Sequence, residues 1–290
     1  MNKPSLLACG EVLWDLFPTG ARFGGAPANF ACHAALQGAG AAVLSAVGDD
    51  PRGNEALAIL ERFGLDTSLV QRLADAPTGS VKVTLDAAGK PGFEIEAHSA
   101  WDRISWTDAL EARMADFDAV YFGTLCQRSA LSRATLRRVV DLAKSRSLCR
   151  VLDVNLRKPF YDAALIRDSV ALASVLKLSD DELPEVAAAC GVASGGEPEK
   201  ILCALLARFA LDLVVMTRGA CGALLVSPDQ VVDQPGIPAT VVDTVGAGDS
   251  FTAAFTVGIL RGEALDTLLR RACETASAVC SQAGAVPDRA

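Results

Sequence analysis

Short, almost wholly apolar runs alternate along this chain with longer Ala- and Leu-rich stretches, and that rhythm constrains the fold more than any other feature. The runs are Leu6–Cys9, Val43–Val47, Ala119–Phe122, Val151–Val154, Ser174–Leu178, Leu213–Met216 and Ala223–Val226, as expected for strands covered on both faces. Between them the spacing predicts helices at roughly Pro27–Gln37, Gly53–Phe63, Arg133–Lys144, Leu165–Ala173, Glu182–Cys190, Lys200–Phe209 and Ala247–Leu260. Pro27 suits a first helical turn, where its missing N–H does no harm. This alternation implies an α/β fold: a doubly wound, mainly parallel sheet with helices on both faces. With 290 residues, 51% of them hydrophobic, one domain spanning 1–290 can bury a sizeable core.

One segment breaks the rhythm. Ser80-Val81-Lys82-Val83-Thr84-Leu85 and Phe93-Glu94-Ile95-Glu96 each alternate with period two, and Ala87–Gly92 turns the chain between them. That is a hairpin with one apolar face, and a lone hairpin is marginal in water. Its face must cover something, either a cleft, as a small β lid, or the main domain, as an extra layer. The lid expectation runs from about 72 to 101 with parts of 10–33.

The formal net charge of −8 repels polyphosphate, so no nucleic-acid partner is expected. Met1–Cys9 is too short for a secretory apolar segment, and no run approaches 18 apolar residues, so no membrane partner is expected either. Cytoplasmic is the default location. The nine cysteines include no C-x-x-C pair, and only His33 and His98 could join them, which argues against a structural metal. Cys9, Cys149, Cys203 and Cys221 read as small buried hydrophobes.

Nucleotide enzymes aim backbone N–H groups at phosphate from a glycine-rich turn that opens a helix. No G-x-x-x-x-G-K-[ST] occurs, and no glycine cluster follows the first strand, which lowers the P-loop and dinucleotide oxidoreductase readings. Gly246-Ala247-Gly248-Asp249 has the required physics: small residues expose donors at the start of a helix whose dipole adds positive potential. Asp249 is there either an ordinary cap or a base that takes a substrate proton while the turn holds developing negative charge.

Asp243-Thr-Val-Gly-Ala-Gly-Asp249-Ser-Phe-Thr-Ala-Ala resembles the C-terminal signature of the ribokinase-like (PfkB) carbohydrate kinases. The N-terminal signature matches as well, in Gly24-Gly25-Ala-Pro-Ala-Asn29-Phe-Ala31 followed by Gly38 and Gly48. The resemblance covers essentially the whole chain. Gly10–Asp15 and Asp153-Val154-Asn155-Leu156-Arg157 are most similar to the fructokinase branch.

The resemblance implies roles that stand beside plainer ones. Asp15 matches an acidic residue on the family's first strand that binds sugar hydroxyls; it could also lie at an exposed strand end. Gly24 and Gly25 would let backbone approach the sugar or simply form a tight turn, and Asn29 would bind hydroxyls or cap. Asn155 and Arg157 fall at the carboxyl end of a strand, where such sheets place ligands. Arg157 would lie near sugar and transferred phosphate, or serve a surface ion pair. The family's N-x-x-E appears here as Ser179-Asp-Asp-Glu182, with serine replacing asparagine. Glu182 is carried over as a water-mediated Mg²⁺ contact and Ser179 as a nucleotide contact, while the two also fit a capping box. Thr217, Gly219 and Gly222 resemble a nucleotide-side turn, though a simple β-turn explains them too. Asp243, with backbone near Gly284, matches the position of a monovalent cation such as K⁺ that activates many members.

The implied activity is transfer of the ATP γ-phosphate to a primary sugar hydroxyl, with Mg²⁺, and with Asp249 as base on the turn Gly246-Ala247-Gly248, whose Ala247 and Gly248 N–H groups hold the transferring phosphoryl group. Fructose is the first expected acceptor; 2-keto-3-deoxygluconate, ribose and nucleosides are alternatives, chosen among by Glu96, His98, Trp101 and Asp102. A catalytically silent sugar-binding regulator is the alternative of another class. A homodimer formed through the apolar lid face is the expected assembly.

Overall fold

The computed structural model describes residues 3–85 and 91–287. In chain order its elements are β1 (Ser5–Cys9), β2 (Leu13–Phe17), β3 (Gly20–Gly24), α1 (Ala26–Leu36), β4 (Gly40–Gly48), α2 (Pro51–Arg62), β5 (Val70–Leu73), β6 (Gly79–Leu85), β7 (Pro91–Ile95), α3 (Asp108–Arg113) and β8 (Ala119–Phe122). There follow α4 (Ala130–Ser145), β9 (Cys149–Asp153), α5 (Ala163–Leu172), β10 (Val175–Ser179), α6 (Leu183–Ala189), α7 (Pro198–Phe209), β11 (Leu213–Thr217), β12 (Ala223–Val226), β13 (Val231–Gln234), α8 (Ala247–Leu260) and α9 (Leu265–Cys280).

Nine strands form the large sheet in the order β13-β12-β11-β10-β9-β8-β1-β4-β5, all running one way except β12, which pairs antiparallel with both β11 and the edge strand β13. Period-two alternation splits its side chains between two cores. From β1, Leu7 and Cys9 join the core under α4, α5, α6 and α7, whereas Leu6 and Ala8 join the core under α1, α2, α8 and α9. Both faces are covered, as a doubly wound sheet requires. The chain leaves β1 towards β4 on one side and returns at β8 on the other, and a crevice opens at the carboxyl ends where that order reverses.

The second sheet is small, in the order β3-β2-β6-β7. It is built from 13–24 and 79–95, which corrects the expected limits. Arg72 lies on β5, at the edge of the large sheet, and Trp101 is fully buried in the main core. Asp15 moves too, from the expected first strand to β2 of this small sheet, opposite Arg22 on β3. The hairpin register pairs Val81 with Ile95 and Val83 with Phe93. Its turn at 86–90, like the side chains of Val83, Leu85 and Phe93, lies outside the described residues. Val81 is buried and Ile95 packs against the main core, so the described part of the apolar face is covered by the chain itself.

Two clasps mount the small sheet. Trp14 on β2 donates its indole N–H to the Arg52 carbonyl at the start of α2, 3.1 Å away. After β7, Arg128 holds the returning chain: it donates twice to Asp102 at 2.7 Å and once to the Glu96 carbonyl at 2.6 Å, stacked over Trp101. The cysteine expectation needs correction as well. Cys9 is buried, but Cys203 and Cys221 are exposed and Cys149 is half-buried.

Candidate active site

The crevice is lined by residues that arrive from four directions. Gly246 turns in the left-handed region (φ 79°) to start α8, and a side chain there would strike the Ala285 carbonyl, so glycine is required. The first amides of a helix lack internal acceptors. Ala247 turns its N–H to the Thr244 carbonyl at a long 3.3 Å, while the N–H groups of Gly248 and Asp249 have no acceptor among the described residues. The free donors are therefore shifted one residue along from the expected pair.

Asp249 projects from this first turn, and its Oδ2 accepts 2.8 Å from Asn29 Nδ2. Asn29 is held by α1, whose start at Gly25 (φ 107°) has no side-chain cap of its own. The Glu11 carboxylate is buried near this helix start, where the Ala26 N–H acts to lower its pKa against the stronger effect of burial. A side chain on Gly25 would collide with the Glu11 carbonyl, and one on Gly24 would begin 2.8 Å from Asp15 Oδ2. The two glycines thus let α1, β2 and the Glu11 loop converge. Asn29 Oδ1 is buried without a hydrogen-bond partner.

Beneath the turn lies a buried ion pair. Lys177 on β10 donates at 3.0 Å to Asp153 Oδ1 on β9, and Asp153 Oδ2 accepts from Thr252 of α8 at 3.0 Å. Lys177 Nζ comes within 3.3 Å of where a side chain on Gly248 would begin, so the cation supports the cradle from behind. Burial acts to lower the Lys177 pKa, but Asp153, Glu182 and Asp249 together carry it above the ordinary value, and the ammonium stays charged. Burial pushes Asp153 up to about 6, against the pull of Lys177.

The remaining carboxylates are perturbed in the same sense. Burial raises Asp249, opposed by the Asn29 hydrogen bond, Lys177 and Arg157. Asp15 is raised to about 6 and Glu11 to about 7, again chiefly by burial, with Asp249 adding to each and Arg157 opposing. Arg157 is exposed after β9, and its field reaches all three. Asn155, two residues earlier, sits in the left-handed region (φ 41°), which asparagine tolerates better than most residues.

The nucleotide-side residues fall on the neighbouring strand ends. Ser179 closes β10 and Thr217 closes β11. Glu182 accepts the N–H of Leu156 at 2.7 Å and that of Ser179 at 2.8 Å, and its own N–H donates to the Ser179 hydroxyl at 3.3 Å. The reciprocal capping pair therefore exists, and it ties the loops after β9 and β10 together. Gly219 (φ 52°) faces open space, whereas Gly222 packs against Gln234 and Gly236 and shapes the β12–β13 edge instead. Asp243 accepts the N–H groups of Val245 and Gly284. Among the described residues no group of three or more His, Cys, Asp or Glu forms a metal centre.

Three of the four residues expected to select the sugar, Glu96, Trp101 and Asp102, gather on Arg128. Trp101 is in the core, Asp102 is pinned by Arg128, and Glu96 accepts the Ser80 hydroxyl at 2.6 Å. His98 and Asp102 line a separate cavity of about 560 Å³ with Asp75, Arg103 and Phe160. Glu11 and Lys177 were not singled out from the sequence. Lys177 had a local signal, a lone charge inside an apolar strand run, which burial makes costly unless it is paired.

Comparison with known proteins agrees with this arrangement. The family model for pfkB family carbohydrate kinases matches residues 16–289. A fructokinase of Klebsiella pneumoniae is 29% identical over 86% of this chain and 82% of its own length. An aminoimidazole riboside kinase of Salmonella typhimurium is 28% identical over 88% and 79%. A sugar kinase of Pyrococcus horikoshii, solved in complex with ATP, superposes with a TM-score of 0.80 at 27% identity, covering 97% of this chain and 93% of that one. Across the three, sugar and nucleoside-like acceptors are named on one shared architecture. No helix among the described residues is long and apolar enough to cross a membrane. The chain belongs to the pfkB family of carbohydrate kinases.

Proposed function

We propose that this kinase transfers the γ-phosphate of ATP to a primary hydroxyl of a free sugar, fructose before others, with Asp249 as the general base. The observation that carries the reading is the placement of Asp249. Its carboxylate stands on the same helical turn as two unused N–H donors, is oriented by Asn29, and has a buried ammonium behind that turn. A base and an anion cradle one residue apart suit an in-line attack in which the hydroxyl loses its proton as the phosphoryl group transfers.

Each residue then has a task. Asp15 and Asn29 accept and orient sugar hydroxyls; the orphaned Asn29 Oδ1 is a buried acceptor whose lack of a donor costs about 1–3 kcal/mol until one arrives. Arg157 gives one guanidinium N–H to the Leu156 carbonyl at 3.1 Å and turns its other donors to the transferring phosphoryl group. Gly248 and Asp249 N–H groups receive its oxygens, and the Ala247 N–H can exchange its long bond for a better one. Mg²⁺, entering with the nucleotide, neutralises charge on the β- and γ-phosphates. Both Glu182 oxygens already accept backbone N–H groups, so a water-mediated contact with that ion would leave both loop ties in place. Ser179, Thr217 and Gly219 line the nucleotide side. Fructose is favoured by the Gly10–Asp15 and Asp153–Arg157 segments, which are most similar to the fructokinase branch. A homodimer through the outer part of the hairpin face, in a cytoplasmic setting, completes the reading.

ADP release over a panel of fructose, ribose, 2-keto-3-deoxygluconate, nucleosides and sugar phosphates tests it. One free sugar should dominate, since buried polar groups left unmatched by a wrong acceptor are penalised. Turnover confined to nucleosides or to phosphorylated sugars would remove the fructose assignment, and ATP-dependent turnover of none would remove the activity.

A further inference from the structure

Asp243 opens the loop that leads into the cradle, and its carboxylate is crowded with donors. Oδ1 accepts the Val245 N–H at 3.1 Å; Oδ2 accepts the Gly284 N–H at 3.1 Å and Nη1 of Arg22 at 3.2 Å. The backbone before the loop is fixed too, since the N–H groups of Val242 and Asp243 both donate to the Cys280 carbonyl at the end of α9. Arg22 comes from the opposite wall of the crevice. It stands on β3, directly across from Asp15 on β2, with its guanidinium over the Phe17 ring at 4.7 Å. Cross-strand partners share a face. The strand pair that offers a carboxylate to the sugar therefore also delivers a permanent cation to the root of the phosphate cradle.

A monovalent cation is the group that resemblance to the family implies at Asp243, and the residues present do not fit it. Gly284 gives its N–H to Asp243 Oδ2. With Arg22 and that N–H on Oδ2, and Val245 on Oδ1, three of about four lone-pair positions are taken. An ion binding Oδ2 would have to displace a donor already in place, one of them carrying the same charge.

We propose that the Arg22 guanidinium does the work of that cation: it supplies the positive charge at Asp243 that holds the loop 243–246, so the enzyme runs without an added monovalent cation. The proposal builds on the kinase reading and makes Arg22 a positioning residue that acts on the cradle through Asp243. It also ties the two walls together, because movement of β2–β3 onto a sugar carries Arg22 with it.

The test compares wild type, Arg22→Gln and Arg22→Lys in chloride salts of tetramethylammonium, Na⁺ and K⁺ at constant ionic strength. Two readings are taken: the rate of ADP release with the best acceptor, and the thermal midpoint without substrates. The wild type should change by less than about threefold in rate, with an unmoved midpoint, because its cation is built in. Arg22→Gln should lose about tenfold in tetramethylammonium, the scale of one charge-assisted hydrogen bond, and K⁺ should restore most of the rate and raise the midpoint. Arg22→Lys, which keeps the charge, should remain indifferent to salt. A wild type that K⁺ accelerates tenfold or stabilises would overturn the proposal. So would an Arg22→Gln variant that no small cation rescues, since Arg22 would then be an ordinary contact between lid and core. If no acceptor is phosphorylated in any salt, the kinase reading fails, and the midpoints still decide whether Arg22 excludes the ion.

Discussion

Two carboxylates, Asp249 and Glu182, stand at helix starts along the carboxyl edge of one sheet, and their surroundings give them opposite characters. Glu182, just before α6, has a backbone N–H on each oxygen and fastens two loops. Asp249, in the first turn of α8, has one side-chain donor on Oδ2, and no hydrogen bond among the described residues reaches its Oδ1. A saturated carboxylate is a structural tie, because taking up a proton would break the bonds that hold it. An unsaturated one, raised by burial and steadied by cations, has an oxygen left for a reacting proton. Both look alike as an acidic residue near Ser or Gly at a helix start. What separates them is who donates to each oxygen.

The sharpest way to break the contrast is to neutralise the unsaturated member. Asp249, which makes no capping bond to α8, loses only its proton acceptance in Asp249→Asn, so kcat should fall by about 10²–10⁴-fold with sugar and ATP affinities little changed. A folded Asn variant with near-normal turnover would place Asp249 with Glu182, as a tie. Next in size is Lys177→Met, which leaves the Asp153 charge buried and unpaired and should cost about 3–5 kcal/mol in urea unfolding. Adding Asp153→Asn should recover much of that stability. Lys177→Met alone, assayed where it stays folded, should show its acid limb of kcat/KM at higher pH, because a cation that lowers the Asp249 pKa has gone while Asp153 remains.

Glu11 sharpens the comparison as an intermediate case, a carboxylate near a helix start whose desolvation dominates. Its pKa is raised from 4.5 to about 7, so the folded state binds more protons than the unfolded one between those values. Stability contributed by the proton is complete below about pH 4.5 and is lost as pH rises towards 7, a slope worth on the order of 2–3 kcal/mol. Glu11→Gln should flatten that slope, seen as unfolding midpoints that converge at low pH and separate in favour of the variant as pH rises. Parallel curves would show that Glu11 is not desolvated as described. The smallest effect should come from Glu182→Gln, which keeps one acceptor for two amides. A loss of about 1–2 kcal/mol and a rate reduction under about tenfold are expected. A rate loss as deep as that of Asp249→Asn would erase the distinction between the two.

What the sequence could show of this divides along the same line. The strands were legible because burial on both faces leaves an apolar run, and the cradle was legible because its donors, glycines and carboxylate lie within one turn. Edge strand β13 was not, since Val231–Gln234 is only half covered and carries no run of its own. Helix α9 hides its buried stripe of Leu268, Leu269, Ala272 and Cys273 among charged neighbours, although the helical spacing was there to find. The contacts that give each carboxylate its character join distant segments: Asn29 to Asp249, Leu156 to Glu182, Arg22 to Asp243. No local pattern encodes them. The lid limits failed for a related reason, because period-two alternation marks a strand without saying which sheet it joins.

Helix α8 has a consequence that reaches beyond chemistry. From Ser250 to Gly258 every residue is buried, with Thr252 and Thr256 hydroxyls turned back onto the helix's own carbonyls and α1 and α9 packed alongside. Such a helix has no freedom to drift, so Asp249 and the turn that carries it form a fixed anvil. The facing wall is a four-stranded ribbon held by a few side-chain clasps. On the proposed reading, new acceptors are accommodated, over evolutionary time, by rebuilding the ribbon while the anvil stays as it is; solved kinases named for fructose and for aminoimidazole riboside share this fold at under 25% identity to the present chain.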